Sequence, residues 1–267
     1  MTASFCFDPV HGGRVSSLRI GEFELLFGDS DMKPMSWGAY PMVPYAGRVD
    51  RGRFHFDSKP LSLEINHGEH AIHGTAFTAE WQELGPGHLV HELDDRWPLG
   101  GTVSHRGQLS GDEEAGSLLL ELSVMATGRP MPAMIGWHPW FNRRLSPDGP
   151  NVQVVFEGFD SAEMYEIGDD MIPTGRVVSP PDPGPWDHPF RSLGQPVRLV
   201  WVDQLQIDLT SSCDHWVIYD QRDHAFCVEP QSGPPNIFNP QRFDIEPTIL
   251  HPGEQLVHTF TLDWTSR

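Results

Sequence analysis

Positive charge is scarce in this chain. Eighteen Lys and Arg stand against 37 Asp and Glu in 267 residues, a formal net charge of −19. So negative a surface repels phosphate backbones and anionic headgroups, so neither nucleic acid nor a membrane surface is an expected partner. Cysteine is scarce too. Cys6, Cys213 and Cys227 are too few and too scattered for a disulfide framework, and any pairing would leave one over. No run of 18 apolar residues exists, which excludes a membrane-spanning helix. The opening stretch, Met1–Gly13, has neither a basic n-region nor an apolar h-region. A reduced, soluble, cytoplasmic protein is the expectation. Helical periodicity is also missing: no segment sustains apolar residues at i, i+3 and i+4 over three turns.

Punctuation is abundant instead. The 26 Gly and 25 Pro break the chain too often for long helices, while 38% apolar residues suffice for a sizeable core. Short apolar or alternating runs recur between the breaks: Phe23–Phe27, Arg53–Phe56, Ser117–Val124, Val152–Phe156, Trp216–Tyr219, Ala225–Val228 and Leu256–Leu262. They predict an all-β fold, a large antiparallel β-sandwich, with residues 1–267 forming one domain because no linker divides the strands. The Pro-rich run at 179–190, SPPDPGPWDHPF, reads as a long surface loop. Gly107–Gly116 reads as a turn between strands.

Four polar clusters sit beside Gly, Pro and aromatic residues. In Tyr40–Asp57, Gly47-Arg48-Val49 follows Pro44-Tyr45. Arg48 is either a hairpin surface residue or a rigid fork of N–H donors in a pocket. In Asn66–Gly74, His67, His70 and His73 recur every third position. Gly68 and Gly74 argue against a helix, and no Cys or carboxylate completes a recognisable zinc spacing, so no metal is expected there. These imidazoles either point into a cleft or lie in solvent. In Ile135–Arg144, His138 stands among Trp137, Trp140 and Phe141, with Pro139 holding it extended. Flat aromatic walls around one polar tip suit sugar recognition, although a core His bound to a backbone carbonyl has the same local sequence. In Phe226–Pro240, Glu229 ends an apolar run and precedes Pro230. It is either a surface ion-pair partner or a desolvated carboxylate of raised pKa, fit for general-base work.

The order of these clusters carries more than any one of them. Pro-Tyr-Ala-Gly-Arg-Val (44–49), Asn66-His67-Gly68 through Ala71-Ile72-His73-Gly74, Gly136-Trp137-His138-Pro139-Trp140-Phe141 and Val228-Glu229-Pro230-Gln231-Ser232-Gly233-Pro234-Pro235 together resemble the aldose 1-epimerase (galactose mutarotase) family, from about Gly12 to Trp264. The resemblance implies a galactose mutarotase-like β-supersandwich that needs no cofactor and interconverts the α and β anomers of a free sugar. It implies Glu229 as general base and His138 as general acid. It assigns His73 and Arg48 to sugar binding, with Ile72 where the family has Leu and Gly47 where it has Asn. A substrate-orienting Asp is matched by Asp203, with Asp208 a competitor, and Trp140 supplies a stacking wall. The expected partner is a small sugar, bound by a monomer or homodimer. Three rivals remain on the same fold: a hexose-6-phosphate 1-epimerase using Arg51, Arg53, Arg143 or Arg144, a non-catalytic sugar-binding module, and a glycosidase pairing Glu229 with Asp203 or Asp208.

Overall fold

The computed structural model describes residues 2–28, 31, 33–181 and 184–266. Strands dominate, and nearly all pairing is antiparallel, as the alternating apolar runs require. Ala115–Met125 shows the rule most clearly. Leu118, Leu120, Leu122 and Val124 are buried at every second position. The strand is hydrogen-bonded in unbroken register to Thr102–Gly111 on one side and Gln255–Ser266 on the other. Each such side chain contributes roughly 1.5–3 kcal/mol by leaving water.

Two large sheets form the layers. One has ten strands, in the order Ser4–Asp8, Arg14–Ile20, Ala39–Met42, Gly136–Asn142, Ala225–Gln231, His215–Tyr219, Asp187–Ser192, Glu163–Ile167 and Pro173–Val178, with Phe23–Glu24 added beside Arg14–Ile20. The other has eight, running from Gln153–Phe156 through Val197–Trp201, Leu205–Ser211, Gln255–Ser266, Ala115–Met125, Thr102–Gly111 and His88–Glu92 to Gln82–Gly85. Their inner faces meet in one contiguous apolar cluster. Trp137 and Trp216 of the first sheet reach Phe260 of the second, with ring centroids 5.8 and 6.3 Å apart. A polar link crosses the same layer. Trp137 Nε1–H donates to His105 Nε2 at 3.0 Å, and His105 Nδ1–H donates to the Gly13 carbonyl at 2.9 Å. Both bonds require the neutral ring, and burial pushes the His105 pKa down to about 4.

The fold is the all-β sandwich expected, with local departures. Arg53–Phe56 is a strand as read. Phe23–Phe27 keeps only Phe23–Glu24, because Leu26 instead bridges Phe141 of a different strand. The strands around Gly107–Gly116 extend to Gly111 and resume at Ala115, so the turn is three residues long. The Pro-rich loop is a larger correction. Asp187–Ser192 is an interior strand of the ten-stranded sheet, with Pro189 opposite Val217. Asp182 and Pro183 of that run lie outside the described residues. No helix among the described residues is long and apolar enough to cross a membrane.

Candidate active site

The site lies on the outer face of the ten-stranded sheet. Successive side chains of a strand point to opposite faces. In Ala225–Gln231, Phe226 turns inward against Phe141, which sends Cys227, Glu229 and Gln231 to the other face. The neighbouring strand pairs Gly136 with Gln231 and Trp140 with Cys227, which sets His138 beside Glu229. Every residue of Ala225–Gln231 is buried, so the carboxylate sits out of contact with bulk water.

His138 Nε2 and Glu229 Oε1 are 3.1 Å apart, and both residues are buried. That separation requires a proton between them. Burial pushes the Glu229 pKa well above the ordinary carboxylate value, and the Asp187 carboxylate pushes it further. The Gln231 amide, which donates to Glu229 Oε2 at 3.2 Å, and the Arg48 cation pull the other way. Burial also pushes His138 down to about 3. Both shifts oppose charging the pair, so they favour a proton on the carboxyl beside a neutral imidazole, the two joined by the hydrogen bond. Two aromatic faces clamp the imidazole: Tyr40 stacks at 4.7 Å and Trp140 at 5.2 Å between centroids. Trp140 is fixed in turn by its Nε1–H, which donates to the Met35 carbonyl.

His73 meets His138 edge-on at 4.9 Å. Its backbone has φ 63°, and its N–H donates to the Gly47 carbonyl. The next residue must be glycine: a Cβ on Gly74 would lie 2.0 Å from the Val43 carbonyl oxygen. Burial and the neighbouring His138 keep His73 neutral, with a pKa well below the ordinary value. Gly47 is required for a similar reason, since a Cβ there would strike Pro235 at 2.6 Å. That close approach lets the short ribbon of Arg48–Val49 with Ala71–Ile72 deliver Arg48 and His73 to the same cavity.

The cavity holds about 330 Å³, a volume suited to a small molecule. Arg48, His73, His138, Trp140 and Glu229 all line it. Asp203 does not. It sits exposed in the turn between Val197–Trp201 and Leu205–Ser211, on the eight-stranded sheet. Asp208 lies on that sheet too, paired with Arg198 at 2.6 Å. The carboxylate that faces the cavity is Asp187, half-buried at the start of the proline-containing strand, its pKa raised by burial. The three spaced histidines part company. His67 and His73 reach the cavity, whereas His70 donates from Nε2 to the Asp170 carbonyl and accepts the Arg51 N–H at Nδ1. Of the arginines considered for phosphate, Arg143 is bonded to the Arg222 and Asp220 carbonyls and Arg144 to Asn151. None of Arg51, Arg53, Arg143 and Arg144 lines the cavity.

A proton-sharing imidazole and carboxylate under an aromatic clamp, with neutral and cationic donors around a small polar cavity, define a site for acid–base chemistry on a small hydroxylated molecule. Comparison with known proteins narrows the class. A family model described as aldose 1-epimerase matches residues 9–263. The uncharacterized protein YphB of Escherichia coli (strain K12) is 31% identical over 128 residues, a match that spans 45% of this chain and 41% of that protein. A structure described as a candidate aldose 1-epimerase from Escherichia coli K12 superposes with a TM-score of 0.80 at 20% identity, covering 99% of this chain and 96% of that one. A galactose mutarotase-like protein from Clostridium acetobutylicum follows at 0.79 and 15%, covering 99% and 93%. The chain belongs to the aldose 1-epimerase family.

Proposed function

We propose that the protein is a mutarotase that interconverts the α and β anomers of a free, neutral aldose. The buried His138–Glu229 pair, 3.1 Å apart beside the cavity, carries this reading. Opening a cyclic hemiacetal needs one group to take the C1 hydroxyl proton and another to give a proton to the ring oxygen. With the pair's proton passed along its hydrogen bond to His138, Glu229 takes the first and His138 supplies the second as the C1–O bond to the ring breaks, leaving an aldehyde. Rotation about C1–C2 presents the other carbonyl face. Reclosure returns the proton from the C5 hydroxyl to His138 and from Glu229 to O1, so the enzyme ends as it began. His73 and Arg48 hold oxygen charge during opening. Asp187 accepts hydrogen bonds from sugar hydroxyls, and Trp140 offers its face to ring C–H groups.

The charge lining the cavity favours a neutral sugar over a phosphorylated one. The Arg48 cation acts on Asp187 and Glu229, and among the described residues Arg222 is the one other arginine on the lining. A polarimetric panel of glucose, galactose, xylose and glucose 6-phosphate tests this. The neutral aldoses are expected to mutarotate well above the spontaneous rate and the phosphate ester not to. Asp187→Asn is expected to raise KM by roughly 10- to 100-fold while changing kcat less, the loss of about 1.5–3 kcal/mol of charged hydrogen bonding. Sugar binding without any acceleration of anomer exchange would leave only a binding module.

The paired pKa shifts also set a pH dependence. The working form holds one proton on the pair. A second proton arrives only as pH falls toward the His138 value of about 3. The last proton leaves only above the ordinary carboxylate range, because the Glu229 value is raised. The acid limb therefore moves outward, so kcat/KM should hold on below about pH 4.5, farther than an exposed Glu–His pair would allow. A decline centred near pH 6.5 on the acid side would show that His138 titrates as a solvated imidazole.

A further inference from the structure

Cys227 has no part in the chemistry above, yet it stands against the reacting pair. Among the described residues, His138, Cys227 and Glu229 form a trio whose ligand atoms all lie within 4.8 Å of one another, with all three residues buried. The arrangement follows from the sheet. Cys227 and Glu229 are two apart on one strand and share its outer face, and the neighbouring strand places His138 beside them. We infer that this trio is a binding site for a thiophilic dication of the Zn²⁺ or Cd²⁺ type, which competes with the sugar for the same atoms.

The donor set fits such an ion. Thiolate, imidazole and carboxylate are the ligands that tetrahedral zinc-type ions take, at about 2.3 Å to sulfur and 2.0 Å to nitrogen or oxygen. Those lengths set ligand atoms roughly 3.3–3.6 Å apart. The His138–Glu229 separation of 3.1 Å is already close to that. From the 4.8 Å limit, Cys227 needs to close by at most about 1.5 Å, a side-chain adjustment. Three protein ligands leave a fourth position for water, and two of the three, His138 and Glu229, line the cavity, which gives an entry path. On binding, the thiol releases its proton to solvent, and the pair releases the one it shares, so two ligand anions neutralise the dication. The net charge of −19 draws cations to the surface. Alkali and alkaline-earth ions are excluded by the sulfur and nitrogen donors.

The probe is Cd²⁺, whose bond to thiolate gives an ultraviolet charge-transfer band. The parent for the test is the full-length Cys6→Ser protein, which lacks the exposed thiol. One Cd²⁺ per chain with that band is expected in calorimetric and absorbance titrations. Cys227→Ala should abolish the band and weaken binding ~100-fold or more, with anomer exchange retained and now insensitive to Cd²⁺. Glu229→Gln keeps the thiol and should weaken binding at least ~10-fold, which covers the case in which the cysteine variant folds poorly. Absence of the band in the parent, or a band that persists in Cys227→Ala, overturns the site. Because the band and the calorimetric titration read binding and not turnover, they separate from the mutarotase reading. Cd²⁺ bound by Cys227 but not displaced by any aldose would uphold the cation site and count against the sugar.

Discussion

Glu229→Gln is expected to lower kcat for anomer exchange by roughly 100- to 10,000-fold while leaving sugar binding measurable. The amide is nearly isosteric, so the sheet position and the neighbouring contacts survive. What disappears is the capacity to take a proton from the C1 hydroxyl. His138 then has a partner that cannot exchange protons with it, and among the described residues the other carboxylate on the cavity lining is Asp187, which comes from another strand. The substitution also removes a buried ionisable group whose charge the interior disfavours. The variant should therefore melt no lower than the parent, which separates lost chemistry from lost fold. Polarimetry on freshly dissolved α-glucose, with the spontaneous rate subtracted, decides the matter. A mutant trace that matches the parent would remove Glu229 from the role of base.

Much of this site was legible because each functional side chain sits next to the punctuation that positions it. Glu229 precedes Pro230, His138 precedes Pro139, and His73 and Arg48 adjoin Gly74 and Gly47, where the backbone passes too close to a neighbour for any Cβ. The chain announces such places in its composition. The period-2 alternation that buries Leu118 through Val124 likewise announces a sheet. Asp187 was hidden by the same logic. It lies in a run so rich in proline that a surface loop is the physical default, since Pro removes a ladder donor. The structure nonetheless seats Pro189 in an interior strand. Asp203 was the nearest match to the substrate-orienting Asp that the family resemblance implies, but it lies in a turn of the other sheet. The order of strands was beyond reach for a different reason. Ala39–Met42, Gly136–Asn142 and Ala225–Gln231 are neighbours in the sheet and far apart in the chain, so no local pattern records that they meet. Tyr40, which stacks on His138, and Cys227, which stands beside it, were invisible on the same account.

Arg14 is the residue whose loss should damage the fold most. Arg14 is 1% exposed, and the Asp8 carboxylate acts on it only through space. Its guanidinium instead donates to four backbone carbonyls in three separate segments: His11 at 2.6 Å, Pro34 at 2.8 Å and Trp37 at 2.7 Å within one connection, and Phe77 at 3.3 Å. Its carbon lies 4.1 Å from the centroid of the Trp37 ring and 5.3 Å from that of Tyr40. Burial lowers its pKa to about 10, so it stays charged at neutral pH. Arg14→Ala takes this donor from the Trp37 and Phe77 carbonyls, on buried residues, and opens a void beneath two aromatic rings. A cost on the order of 4 kcal/mol follows, or a fall in Tm of roughly 10 °C. Arg14→Lys should recover less than half of it, because one ammonium cannot serve carbonyls that diverge around a planar fork. The damage should also reach the site. The Pro34 and Trp37 carbonyls flank Met35 and Ser36, which line the cavity, and Tyr40 is the ring on which His138 rests. In whatever fraction of Arg14→Lys remains folded, KM for the sugar should therefore rise. Calorimetric melts with steady-state polarimetry on the same preparations test both parts, and an alanine variant that melts within about 2 °C of the parent would show that the loops hold themselves.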